Sequence, residues 1–151
     1  MNDKHKQEFE FSQVTNNIFL GTNICCLDKT HTQALTDLGI TAEIDLEKEG
    51  QNPVAEIEIY LRLPTVDKTA PSVPQIKAGV ALIDRMVNID KKVYVHCKFG
   101  HGRSPTLVAA FLISKGKTVS EAIETIKKNR PEVHLNEIQM KALKEFSDRE
   151  E

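Results

Sequence analysis

The stretch His96-Cys97-Lys98-Phe99-Gly100-His101-Gly102-Arg103-Ser104 decides the fold. It sets one cysteine, five further residues and one arginine between an apolar run and a helix start. The run before it, Val93-Tyr94-Val95, is β-branched and aromatic and reads as a buried strand. Ser104-Pro105 after it reads as a helix opening, with serine as N-cap and proline in the first turn. A loop so placed can turn successive backbone N–H groups inward at a helix N-terminus, whose partial positive charge favours anions. Gly100 and Gly102 are expected to let it curve, because glycine takes positive φ without steric cost.

The chemistry follows from that placement. Cysteines among inward N–H groups, beside an arginine and a helix N-terminus, ionise at roughly pH 3.5–7.5, so Cys97 is expected to be a thiolate nucleophile. Arg103 offers a planar fork for two phosphate oxygens, which lysine cannot copy. Ser104 can hydrogen-bond the sulfur and help it leave. A bare Cys-x5-Arg also fits a buried structural cysteine with an incidental arginine; the strand–loop–helix context is what makes this one specific.

Outward from the loop, helices alternate with strands. Ile18-Phe19-Leu20 reads as a short strand, and a helix from an Asp28 cap to Leu38 is ended by Gly39. Residues 40–46 read as a strand, residues 47–56 as an exposed charged loop, and residues 57–63 alternate with the period of two of a half-buried strand. Ser72-Val73-Pro74-Gln75 and Thr118-Val119-Ser120-Glu121 are capping boxes. The first opens a helix with Ile76, Val80, Ile83 and Val87 inward; the second opens one with Val119, Ala122, Ile123 and Ile126 inward, stopped by Pro131. Residues 107–113 are apolar all round, the mark of a central helix. A last helix over 136–146 is expected to turn Ile138, Ala142 and Phe146 inward.

This order implies an α/β fold: one domain over 1–151, a mostly parallel or mixed sheet of four to five strands with helices on both faces, and frayed ends at 1–9 and 147–151. Such sheets bind ligands beyond the carboxyl ends of their strands. Cys97 follows one strand and Asp67 another, so both fall on one edge.

His96 through Ser104 resembles the signature loop of the cysteine-dependent protein tyrosine phosphatases, in particular their dual-specificity branch. That resemblance extends to Leu63-Pro64-Thr65-Val66-Asp67, to Ile18-Phe19-Leu20-Gly21 and to Asn129-Arg130-Pro131…Asn136, covering residues 10–146 or so. It implies a phosphocysteine intermediate, with Asp67, thirty residues before Cys97, as general acid and then base. It further implies phosphate binding by the loop from Lys98, Phe99, Gly100, His101 and Gly102 to Arg103, loop support from His96 through backbone hydrogen bonds, and a tie from Asn136 to the catalytic loop; from the residues alone His96 is equally a core histidine and Asn136 a plain N-cap. No metal or cofactor is implied. Without the extra loop of the tyrosine-specific branch the pocket should be shallow, which favours phosphoserine and phosphothreonine as well as phosphotyrosine. Phosphatases of this superfamily acting on phosphoinositides or inositol polyphosphates often carry basic loop residues, a pattern Lys98 matches better than His101; in both, a solvated charge is the simpler reading. The expected substrate is therefore a phosphoprotein, the alternatives being a phosphoinositide or inositol polyphosphate, or a weakly catalytic phosphate-binding module. Sulfur transfer and arsenate reduction use similar loops but do not need the upstream acid.

Composition narrows the partners. A net charge of −2 over 151 residues gives no basic field for nucleic acid. There is no apolar run of about eighteen residues to span a membrane, and the polar first ten residues do not read as a secretory signal. Three cysteines without metal-ligand spacing imply a reducing, cytoplasmic setting and a monomer is expected. Cys25-Cys26 reads as small packing residues or, more sharply, as a resolving thiol for an oxidised Cys97.

Overall fold

The computed structural model describes residues 9–23, 29–49 and 57–150, with residues 29–31 described in backbone only. Asp28, Cys25, Cys26 and residues 50–56 lie outside that range, so their expected roles lie outside it too. The elements run β1 (Phe11–Gln13), β2 (Ile18–Gly21), α1 (Lys29–Asp37), β3 (Ile40–Glu47), β4 (Ile59–Thr65), α2 (Val73–Asn88), β5 (Lys92–His96), α3 (Arg103–Ser114), α4 (Val119–Asn129) and α5 (Glu137–Glu150).

The strands form one sheet in the order β1-β2-β5-β3-β4. β1 pairs antiparallel with β2, while β2, β5, β3 and β4 are parallel, so the sheet is mixed. In register, Val95 lies between Leu20 and Ile44, and Ile44 beside Leu61. Three neighbouring parallel strands thus end on one edge at Glu47, Thr65 and His96. Within two residues of those ends the chain reaches Glu49, Asp67 and Cys97.

Alternation along the strands splits the core. Phe19 and Tyr94 pack with Leu35 of α1 and Ile40 on one face. Ile18, Leu20, Ile44 and Val95 pack with α2, α3, α4 and α5 on the other. The apolar run 107–113 is buried throughout, as its composition predicts. Truncating a side chain such as Leu107 or Leu112 to alanine should cost about 2–5 kcal/mol, because lost transfer energy and a cavity add. Both capping boxes form: Ser72 and Gln75 exchange bonds of 3.3 and 2.9 Å, and Thr118 and Glu121 bonds of 3.1 and 2.9 Å.

Four expectations are corrected. The N-cap of α3 is Gly102, not Ser104, so helix geometry starts two residues earlier than the Ser-Pro signal suggests. Ser104 lies inside the first turn with its hydroxyl turned to Cys97. Residues 47–49 are not a plain exposed loop, since Glu47 is buried at the end of β3 and Glu49 is bound to an arginine. In α5 the buried residues are Gln139, Leu143 and Phe146, and Ile138 is 57% exposed. Gln139 takes the inward place because its amide is needed there: it caps α5 with Asn136 and donates to the Thr69 carbonyl. Finally, residues 147–150 continue α5, carried by Phe146 packing in the core.

Candidate active site

The loop from Lys98 to Gly102 presents each of its carbonyls to a separate donor. The Lys98 carbonyl accepts from the Asn23 amide at 3.2 Å. Phe99 and Gly100 carbonyls accept from Arg130, at 2.8 Å from an Nη2–H and 3.0 Å from Nε–H. The His101 carbonyl accepts from the His134 amide at 3.1 Å. Gly102 accepts from the Thr106 amide at 3.0 Å and its hydroxyl at 2.7 Å. In a trans peptide the N–H points away from the preceding C=O. Five outward carbonyls therefore set the N–H groups of Phe99, Gly100, His101, Gly102 and Arg103 toward the opposite, inner side. Gly102 has no side chain with which to cap α3, so the first-turn amides stay open to an anion.

The two glycines serve different needs. Gly100 has φ +72°, and a Cβ there would lie 2.6 Å from the Gly21 carbonyl oxygen. Gly102 has φ −136°, so positive φ is not its reason. A Cβ at 102 would meet the Gln139 amide at 2.9 Å, and that close approach seats α5 against the loop.

Cys97 is buried at the floor, its Sγ 3.2 Å from the Ser104 Oγ. Arg103 is 2% exposed and makes an end-on pair with Glu49, Nη1 to Oε1 at 2.5 Å and Nη2 to Oε2 at 3.1 Å. Its second Nη1–H goes to the Thr65 carbonyl at 3.0 Å. Three of the five guanidinium N–H groups are thus used, leaving Nε–H and one Nη2–H, the parallel fork that matches two phosphate oxygens. Burial by itself would raise the Glu49 pKa; hydrogen bonds and charge from Arg103 outweigh it and hold the carboxyl below its usual range. The same pairing raises Arg103 against the lowering effect of its own burial.

Asp67 lies on the same edge, its Oδ1 3.6 Å from the Arg103 Nε. The loop that carries it is fixed at its next two carbonyls: Asn136 donates to Lys68 at 2.8 Å, and Gln139 to Thr69 at 3.1 Å. Asn136 also caps α5 through its Oδ1, so it is both an N-cap and a tie, and the tie goes to the Asp67 loop rather than to the cysteine loop.

His96 is fully buried, and its Nε2 meets Glu43 Oε1 at 2.7 Å, not a loop carbonyl; Asp45 Oδ1 lies 3.9 Å from Nδ1. The expected backbone contact is replaced by a carboxylate pair because Glu43 and Asp45 share the face of β3 next to β5. At the rim, Phe99 is half-exposed, Lys98 Nζ sits 5.3 Å over its ring, and His101 stacks on it at 6.2 Å. Burial, with the charges of Arg130 and His134, lowers the His101 pKa, so this ring is neutral above its ordinary range. His101 is therefore a weaker source of positive charge at neutral pH than Lys98.

Glu49, Arg130, Gln139 and Glu43 were not singled out from the sequence. The usable signal for Glu49 was its offset: it follows the end of its strand by two residues, as Asp67 does. Arg130 lay in the Asn129-Arg130-Pro131 run, which was read as a helix stop and as part of the family resemblance, with no role given to the arginine itself.

A parallel-strand edge with a cysteine beneath inward amides, a buried arginine fork and a nearby carboxylate defines a class. The chain belongs to the family described as the dual specificity phosphatase, catalytic domain, whose model matches residues 18–149. It is similar to the crystal structure of PTPMT1, with 30% identity and a TM-score of 0.83 over 93% of this chain and 96% of that one. A crystal structure of PTPMT1 in complex with PI(5)P matches at 28% identity and a TM-score of 0.82, over the same shares of the two chains. The phosphatidylglycerophosphatase and protein-tyrosine phosphatase 1 of Homo sapiens is 42% identical over 88 residues, 57% of this chain and 44% of that protein. The match thus spans less than half the length of that relative.

Proposed function

We propose that this chain is a cysteine-dependent phosphatase that removes phosphate from a phospholipid through a phosphocysteine intermediate. The observation that carries the chemistry is that the five carbonyls following Cys97, from Lys98 to Gly102, are each held by a donor outside the loop, because a trans peptide then turns the next N–H away from that donor, where it can meet an anion. In the first step the Cys97 thiolate attacks phosphorus in line. The P–O bond to the alcohol breaks, and Asp67 gives its proton to the leaving oxygen. The amides and the Arg103 fork hold the three equatorial oxygens as charge builds on them. In the second step water attacks the phosphocysteine, Asp67 takes its proton, the P–S bond breaks and inorganic phosphate leaves. The Ser104 hydroxyl donates to the departing sulfur. A binding module would need neither the thiol nor the carboxylate.

Phosphoprotein was the first expectation from the sequence. The relatives support the lipid alternative better, through a PI(5)P complex in one and a phosphatidylglycerophosphatase name in another. The test is phosphate release, in EDTA, from phosphatidylglycerophosphate, PI(5)P, a phosphotyrosine peptide and a phosphothreonine peptide, with Cys97→Ser as control. The expected result is Cys97-dependent release that is at least about tenfold faster from a lipid than from either peptide, a difference of about 1.4 kcal/mol in barrier. Faster release from a peptide overturns the lipid reading; release from none overturns the enzyme.

A further inference from the structure

We propose that the mouth of this site is a docking face for an anionic lipid surface; this rests on the lipid reading above and adds how such a substrate is reached. Among the described residues, the large apolar side chains left exposed are Val66 (51%), Val73, Ile89, Phe99 (48%), Ile138 (57%) and Met140. Single exposed apolar residues are ordinary, but a concentration of them around one opening is not.

Three of these belong to three different elements that converge on Cys97. Val66 precedes Asp67 on the loop after β4, and Phe99 lies two residues past Cys97. Ile138 precedes Gln139 in the first turn of α5. The convergence is fixed by contacts: Arg103 to Thr65, Asn136 to Lys68, and Gln139 to Thr69 and against Gly102. Beside Val66 and Ile138 the backbone of Thr65 and the side chain of Gln139 are held in these contacts, and the apolar side chain next to each is left outward. Ile89, the C-cap of α2, precedes β5 and therefore sits at the other end of the sheet.

Charge favours a lipid surface over a neutral one. The carboxylates that follow β3 and β4 on this edge, Glu49 and Asp67, both face Arg103. Lys98 holds its ammonium over the Phe99 ring, and exposed Lys68 follows Asp67. Lysines with apolar stems beside an aromatic suit a headgroup layer, where the ammonium meets lipid phosphate and the apolar parts enter below it. Apolar groups carried by three elements joined at one edge can meet a flat surface together. An extended peptide would meet them one at a time.

The chain has no tryptophan, so a single introduced one is a clean reporter. Val66→Trp, Ile138→Trp and, as the far-end control, Ile89→Trp would be titrated with phosphatidylcholine vesicles containing about 20% phosphatidylglycerol. A blue shift in emission is expected at 66 and 138 and none at 89. In parallel, Ile138→Ser would be assayed on vesicle-borne phosphatidylglycerophosphate and on its soluble short-chain form. The vesicle rate should fall about fivefold or more and the short-chain rate should hold. Equal rates for variant and parent on vesicles, or an equal shift at 89, overturn the docking face while leaving the lipid reading intact. A shift with phosphotyrosine peptide but not with vesicles overturns it in favour of a protein partner. If neither lipid form is hydrolysed the lipid reading fails, and the reporters at 66 and 138 still decide the docking face.

Discussion

Glu49 grips both terminal nitrogens of Arg103 end-on, at 2.5 and 3.1 Å, and thereby selects which edge of the guanidinium is left for a phosphate. Glu49→Ala should let the fork turn, raising KM and lowering kcat together by about 10–100-fold while the chain still folds. Steady-state kinetics beside a thermal melt would check this. The pair also carries a pH signature. The Glu49 pKa is lowered in the folded chain, so its contribution is full above the ordinary carboxylate range and is lost as pH falls through the folded value. The difference in melting temperature between the parent and Glu49→Gln should therefore shrink on acidification, and a constant difference would count against it.

Arg130 is the clamp on the loop's middle. It is buried and holds the Phe99 and Gly100 carbonyls, with Ser12 and Glu10 on its other side. Arg130→Met should leave two carbonyls unpaired at about 1–3 kcal/mol each. Activity should fall further than stability, because the peptide planes that aim the amides are then free to rotate. Vanadate affinity and a urea denaturation curve would separate the two effects.

Ser104→Ala removes the hydroxyl 3.2 Å from the nucleophile without disturbing α3. It should slow loss of the phosphate from Cys97 more than its arrival. Rapid mixing with an aryl phosphate should then show a burst of the alcohol that the parent lacks, and a linear trace would remove Ser104 from the second step.

Asp67→Asn should lower turnover of an alkyl phosphate by about 10²–10⁴ and that of p-nitrophenyl phosphate far less, since a good leaving group needs little help from an acid. Equal losses on both would mean that Asp67 serves Arg103 rather than the leaving oxygen.

Gly102→Ala and Gly100→Ala should fail for different reasons. At 102 the new methyl meets the Gln139 side-chain amide, so Gly102→Ala should cost less stability in a Gln139→Ala background than in the parent. At 100 the obstacle is backbone and φ is positive, so no side-chain change should rescue it. Thermal melts of the single and double variants decide between them.

What the sequence discloses is what is local. The run from His96 to Ser104 carries its own strand, turn and helix chemistry, and Ser72 to Gln75 carries both partners of its capping box within four residues. Glu49 was read as part of a solvated loop because its partner lies 54 residues away, and only the shared edge of β3, β4 and β5 brings them together. Ile138 was placed inward by helical periodicity, yet Gln139 took the position. Periodicity ranks side chains by apolarity and does not register that two loop carbonyls and an N-cap need an amide. His96 shows the same limit, since nothing in its neighbours along the chain announces Glu43 across the sheet.

The donors that hold the loop's carbonyls come from the residue after Thr22, from the end of α4, from the segment before α5 and from within α3. A synthetic peptide spanning 96–104 should therefore bind no phosphate, since the shape of those nine residues is stored in the rest of the chain. Partial opening of any one of those four regions should silence catalysis before the molecule unfolds as a whole. On slow heating, turnover should be lost below the calorimetric transition and return on cooling, so that activity acts as a thermometer of local order.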